Sequence, residues 1–368
     1  MTSALTPIGH SKWDLDTPAL LADLDALEGN IRRLTATFRE AGVNWRPHTK
    51  GIKIPAVAHK LLDAGAVGVC CAKLSEAEVL AAAGIKDIVI VNQIVGPQKV
   101  ARLVNLRRQT DVAVAVDSVE NVRELAQAAR AQGVELRVLV EVNTGLNRCG
   151  VEPGAPVVAL AQAVQQSEGL HFLGVVTWEG TAGPQKATPE ERRETVFQSV
   201  RLLTGSADLC RQNGIPVAMV LCGGTATYQY SAFVPGVTDV KAGGGVWCDK
   251  HYREDLHVDH DYALTVVATV ISRPNPTRVV TDAGIKALSA NMGNPLPLGC
   301  GQTTKVWLSA EYGLFEMAEP SPTPKVGDKI EWLVGYSDTT VCLHDELYGI
   351  RDGKVEVVWP IAGRGKFT

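Results

Sequence analysis

The architecture this chain predicts is a (β/α)8 barrel of the TIM type followed by a C-terminal all-β domain, and three observations carry that prediction. Between about residues 18 and 245, short β-branched runs alternate with longer alanine- and leucine-rich amphipathic segments, the pattern of repeated βα units. After about residue 255, strand-like runs follow one another without intervening helices. The 368 residues also exceed one compact core, whereas an α/β barrel takes roughly 250 and leaves about 100 for a second domain. Residues 1–255 are therefore expected to form the barrel and residues 256–368 the β-domain, which the first residues of the chain can join.

Barrel strands are expected at Ala19 to Leu24, Val43 to Arg46, Gly68 to Ala72, Asp87 to Asn92, Val112 to Val116, Leu136 to Val142, Phe172 to Trp178, Val217 to Cys222 and Val240 to Gly243. Ser75-Glu76-Ala77-Glu78 and Asp117-Ser118-Val119-Glu120 read as helix starts, with a capping residue and early acids. Gly42, Gly65, Gly84, Gly133 and Gly214 each close a helical stretch shortly before the next strand. In the β-domain the expected strands are Ala263 to Ser272, Arg278 to Thr281, Thr304 to Leu308, Lys329 to Val334, Leu347 to Arg351 and Lys354 to Trp359. Asp352-Gly353 forms a tight hairpin turn between the last two. The proline-rich segment Glu319 to Lys325 reads as an exposed loop.

A formal charge of -4 with 21% charged residues gives no basic face for phosphate-backbone recognition, so nucleic acid is not expected as a partner. No run approaches the roughly 20 apolar residues of a membrane helix, and the N-terminus shows no signal-peptide core, so a cytoplasmic location is expected. The eight cysteines lack a framework spacing and read as buried small hydrophobes.

Arg46-Pro47-His48-Thr49-Lys50 ends an apolar run and places Lys50 at the C-terminal rim of a predicted barrel strand, where barrel enzymes keep their active sites. A lysine there can form a Schiff base with an aldehyde cofactor; a solvated surface position is the ordinary alternative. Gly223-Gly224-Thr225-Ala226-Thr227 follows another strand and can offer backbone N–H groups and hydroxyls to a phosphate. Lys241-Ala242-Gly243-Gly244-Gly245 ends the next strand, so Gly243 and Gly244 could complete the cup. Arg148 also sits on the rim, where its guanidinium could meet a pyridine nitrogen or pair with Glu141. Residues 335–345 gather Tyr336, Asp338, Cys342, His344 and Asp345, either as metal donors or as polar positions on a β-ribbon.

These segments, with Thr17-Pro18-Ala19-Leu20-Leu21, Arg148-Cys149-Gly150-Val151, Asp282-Ala283-Gly284 and Trp359-Pro360, resemble the D-threonine aldolase and D-serine dehydratase-like family of fold type III pyridoxal-phosphate enzymes. The likeness runs over essentially the whole chain and is greatest to the 3-hydroxy-D-aspartate aldolase branch. It implies that Lys50 carries pyridoxal 5'-phosphate, that Arg148 meets the ring nitrogen, and that Gly223, Gly224 and Thr225 hold the phosphate. His48 and Trp178 are counted with the cofactor-binding residues. It further implies a homodimer, an amino-acid substrate, and a divalent metal (Mg, Mn or Zn) bound to the substrate's β-hydroxyl.

Departures from the family pattern cluster around that hydroxyl. The family's metal pair, a His and two residues later a Cys or Asp, reads Tyr336 and Asp338 here, which leaves Asp338 as the retained metal ligand. The family's active-site Tyr reads Trp178, followed by Glu179, and a His six residues beyond reads Pro184. Glu179, Tyr336 and His344 are the candidate general bases. The expected activity is retro-aldol Cα–Cβ cleavage of a β-hydroxy-D-amino acid. Its alternatives are β-elimination of the D-serine dehydratase kind, a metal-free racemase or epimerase, and a cofactor-binding protein without turnover.

Overall fold

The structure, a computed structural model, describes residues 7–182 and 188–368; Pro184 lies outside the described residues. Two compact units divide the chain, one of Leu34–Gly243 with Gly365–Thr368 and one of Met1–Arg33 with Gly244–Arg364. In chain order the first strands are β1 (Ala19–Asp23), β2 (Asn44–Trp45), β3 (Val69–Cys71), β4 (Asp87–Gln93), β5 (Asp111–Val116), β6 (Leu136–Glu141), β7 (Leu170–Val176), β8 (Met219–Cys222) and β9 (Asp239–Val240). Strands β2 to β9 form one parallel sheet in the order β2-β9-β8-β7-β6-β5-β4-β3. A parallel bridge between His48 and Cys70 joins its two ends, so the sheet closes on itself as a barrel. Small and branched side chains fill the interior, with Cys70, Val89, Ala113, Ala115, Leu139, Leu173, Val176, Met219 and Leu221 packed together.

Helical crossovers cover the parallel strands, as backbone geometry demands of βαβ units. They are α2 (Pro55–Asp63), α3 (Leu74–Ala82), α4 (Pro97–Arg107), α5 (Val119–Gln132), α6 (Ala155–Gln165) and α7 (Pro189–Gln212), while α1 (Leu24–Ala41) leads from β1 to β2. Ser118 caps α5, accepting Asn121 N–H at 3.3 Å, and Gly133 ends it in the left-handed conformation at φ 61°. The start of α3 differs from expectation. Its cap position is Lys73, and Glu76 reaches back to accept N–H groups from Ala72 and Lys73, both at 3.0 Å.

Of the nine runs read as barrel strands, the first belongs elsewhere. β1 pairs antiparallel with β10 (Leu264–Ser272), so its four buried residues serve the second unit. That unit adds β11 (Arg278–Thr281), β12 (Leu296–Pro297), β13 (Thr303–Leu308), β14 (Gly313–Met317), β15 (Lys329–Leu333), β16 (Glu346–Arg351) and β17 (Lys354–Pro360). The main path runs β13-β14-β11-β10-β1-β16-β17, with β15 paired to β10 and β12 to β15. Asp352 and Gly353, at φ 50° and 72°, make the left-handed pair that the β16–β17 turn requires. Strands β12 and β14 were not anticipated; β14 alternates buried and half-buried residues over only five positions. Among the described residues no helix is long and apolar enough to cross a membrane.

Candidate active site

Lys50 is held by a turn tied to the strands on both sides. After β2 the chain makes a 3-10 turn over Thr49–Gly51, capped by His48, whose Nδ1 accepts Lys50 N–H at 3.3 Å. His48 N–H donates to Lys241 O at 3.1 Å on the β9 side, and the Thr49 hydroxyl donates to Cys70 O at 3.1 Å on the β3 side. Lys50 itself is exposed at the C-terminal rim of the barrel. Gly243 is demanded by this turn, since a Cβ there would lie 2.1 Å from His48 O. Gly244 falls in the second unit, where a Cβ would strike the ring of Tyr252.

The turn after β8 is braced from below. Glu179, 1% exposed, accepts Gly223 N–H at 3.1 Å on one oxygen and the Thr227 hydroxyl at 2.8 Å on the other. Thr227 Oγ1 in turn accepts Gly224 N–H at 3.0 Å, and Thr225 is buried within the same turn. Both Glu179 oxygens thus brace the glycine turn; the sequence reading gives the same residue as one of three candidate general bases. Trp178 is partly exposed beside it; a Cβ on Gly224 would come within 3.0 Å of its Nε1. Arg148 lies over the Trp178 ring at 5.2 Å and 3.9 Å from Glu141 Oε1, so the carboxylate partner considered from the sequence is engaged.

Positive charge converges on this mouth. Burial pushes the His48 imidazole well below its usual range, and Lys50, Lys241, Lys53 and Arg148 add to the push. Lys241 is buried and donates to Thr177 O. Lys53 is buried against Glu76 at 2.5 Å. A neutral imidazole, a rim amine, two glycine turns and three further cations suit a phosphate-bearing aldehyde; the residues present fit pyridoxal phosphate.

The C-terminal candidates form a separate hydrogen-bonded group within the second unit. Tyr336 donates to Asp338 Oδ2 at 2.8 Å, and the Tyr252 ring centroid lies 6.0 Å from its own. Asp249, fully buried, accepts Ser337 N–H at 2.6 Å and Tyr252 N–H at 2.9 Å, and burial holds its carboxyl up at about 6. His251 meets Tyr336 edge-on at 5.5 Å, with Nδ1 2.9 Å from Asp255 Oδ2. His344 is buried, bonded through Nε2 to Ala287 O at 2.8 Å, and burial lowers its pKa. One ring nitrogen of His344 is thus engaged with a backbone carbonyl, and Asp345 pairs with Arg364. Among the described residues no three His, Cys, Asp or Glu side chains gather as a cation would need. A phenol that donates its proton to the carboxylate beside it does not fit a divalent metal site.

The barrel unit therefore brings together Lys50, His48, Gly223, Gly224, Thr225, Gly243, Trp178, Glu179 and Arg148, whereas Gly244, Tyr336, Asp338 and His344 belong to the other unit. Lys241, Lys53 and Tyr252 were missed as site residues. Lys241 carried a signal, as the residue before the second glycine cluster at a strand end. Lys53 and Tyr252 carried none that spacing reveals.

Comparison with known proteins agrees with this architecture. The alanine racemase N-terminal domain matches residues 22–249 and a serine dehydratase domain matches residues 263–350. The chain is 37% identical to a D-threonine aldolase from Arthrobacter sp over 95% of its length and 93% of the relative's. It is 34% identical to a 3-hydroxy-D-aspartate aldolase from Paracoccus denitrificans (strain Pd 1222), over 97% and 94%. The crystal structure of D-threonine aldolase from Filomicrobium marinum superposes with a TM-score of 0.95 at 34% identity, covering 98% of both chains. The chain belongs to the D-threonine aldolase family, built on an alanine-racemase-type barrel.

Proposed function

We propose that this chain is a pyridoxal-phosphate-dependent lyase that cleaves Cα–Cβ of a β-hydroxy-D-amino acid. The observation that carries the reading is the Lys50 turn, pinned between β3 and β9 beside the braced glycine turn, in a chain similar along its whole length to named aldolases. When bound, the cofactor supplies an electron sink for the substrate's α-carbon. Lys50 would hold it covalently, and the Gly223–Thr225 turn with Gly243 would receive its phosphate. Lys241, Lys53 and Arg148 would offset the anionic charge of cofactor and substrate carboxylate. His48, kept neutral, can orient the Lys50 backbone without adding a further positive charge. A second copy of the chain is the expected partner, as the family resemblance implies.

Incubation with D-threonine, 3-hydroxyaspartate and phenylserine stereoisomers tests the reaction, with aldehyde, glycine and ammonia assayed separately. Aldehyde and glycine in equal amounts are expected from D-configured substrates. Ammonia without aldehyde would instead make the chain a dehydratase, and solvent deuterium at Cα without loss of carbon would make it a racemase. Borohydride reduction of the loaded protein should leave the pyridoxyl group on Lys50 and on no other residue.

A further inference from the structure

We infer that the Tyr336–Asp338 pair stands in place of a divalent cation, so that this chain neither binds one there nor needs one for turnover. The statement about turnover rests on the lyase reading above; the statement about binding does not.

The phenol of Tyr336 is the donor of the pair. Tyr336 donates to Asp338 at 2.8 Å, so one carboxylate oxygen is already engaged by the phenol. A cation in that position would need the carboxylate oxygen that already takes the phenol's proton. It would also have to coordinate a phenol oxygen that still carries its own hydrogen. Mg²⁺ and Mn²⁺ favour anionic oxygens in near-octahedral sets, and Zn²⁺ favours imidazole or thiolate. A neutral phenol serves neither preference.

The neighbours that could repair the donor set are engaged elsewhere. Asp249 receives two backbone N–H groups, His251 faces Asp255, His344 bonds to Ala287 O, and Asp345 pairs with Arg364. Recruiting Asp249, His251 or His344 would strip a buried group of its partner, which costs about 1–3 kcal/mol per hydrogen bond in general. What the pair provides instead is a neutral O–H donor beside a carboxylate acceptor, a device for holding and passing a proton.

The test uses the pyridoxal-phosphate-loaded protein, dialysed against chelator, then titrated with Mn²⁺ while free Mn²⁺ is followed by electron paramagnetic resonance. The wild-type chain is expected to take up no Mn²⁺ that depends on Asp338, whereas Tyr336→His, by restoring an imidazole, gains one equivalent. Uptake of one equivalent by the wild type that Asp338→Asn abolishes would overturn the inference; uptake that Asp338→Asn leaves unchanged lies elsewhere and supports it. If Tyr336→His fails to fold, the wild-type and Asp338→Asn titrations decide alone. Turnover of whichever substrate is accepted should be unchanged by EDTA, and a loss on chelation restored by Mn²⁺ would refute metal independence. Failure of every substrate would sink the lyase reading and leave the Mn²⁺ titration still able to judge the site.

Discussion

Glu179 is a buried carboxylate whose two hydrogen-bond partners come from the turn after β8, more than 40 residues along the chain. Next to Trp178 at a strand end it looks like an acid or base, yet its oxygens accept from Gly223 N–H and Thr227 Oγ1 and leave it 1% exposed. Glu179→Gln keeps the shape but replaces one acceptor oxygen with an NH₂ group that faces a donor. A hydrogen bond to a charged group contributes about 1.5–3 kcal/mol, so cofactor affinity should fall by about tenfold or more. With pyridoxal phosphate at saturation kcat should be nearly restored. Equilibrium dialysis and steady-state kinetics read the two separately, and a kcat lowered by about 10²–10⁴ at saturating cofactor would mean that Glu179 moves protons after all.

At the scale of elements, the entry to α3 is built around one buried ion pair. Glu76 accepts Ala72 and Lys73 N–H groups on one oxygen and meets Lys53 on the other, and the Phe367 ring lies 5.1 Å from the Lys53 ammonium. Lys53 adopts φ 57°, a left-handed backbone rare for a side chain of its size, so the surrounding contacts must hold it there. Lys53→Met keeps the aliphatic stem but leaves Glu76 without its cation. The expected loss is about 3–5 kcal/mol in urea unfolding, and a change below about 1 kcal/mol would show that the two N–H donors suffice. None of this was legible. The burial of Lys53 depends on Glu76 and Phe367, which only the fold brings near. The barrel strands were legible because parallel strands covered on both faces appear as continuous apolar runs. The same reasoning misassigned β1, since a fully buried run looks alike in either sheet and its partner β10 lies far along the chain. The Lys50 turn and the Gly223 turn were readable because strand ends in a barrel share one rim; the engagement of Glu179 and His344 was not, because their partners are Thr227 and Ala287, distant in sequence.

At the scale of the whole molecule, the barrel keeps its two rims for different work. The C-terminal rim carries Lys50 and the glycine turns, while charges are neutralised in pairs at the opposite end. There Arg46 reaches Asp239, the first residue of β9, at 2.8 Å and Asp87, the first residue of β4, at 2.7 Å; Arg137, near the start of β6, meets Asp87 at 2.9 Å. Gly68 is required beside them, since a Cβ would fall 2.6 Å from Arg46 Nη1 and 2.7 Å from Asp87 O. The network ties non-adjacent strands together, so it should govern unfolding of the barrel and leave the chemistry of the mouth alone. Arg46→Met leaves the almost fully buried Asp239 without its cation, at an expected cost of about 3–5 kcal/mol. Adding Asp239→Asn should recover part of that loss, because the stranded charge is removed along with its partner. Both variants, once folded, should bind pyridoxal phosphate as the parent does. Chemical denaturation and cofactor titration on the same samples check the separation. If Arg46→Met weakened cofactor binding as strongly as it weakened the fold, the two rims would be coupled and the division of labour drawn here would be wrong.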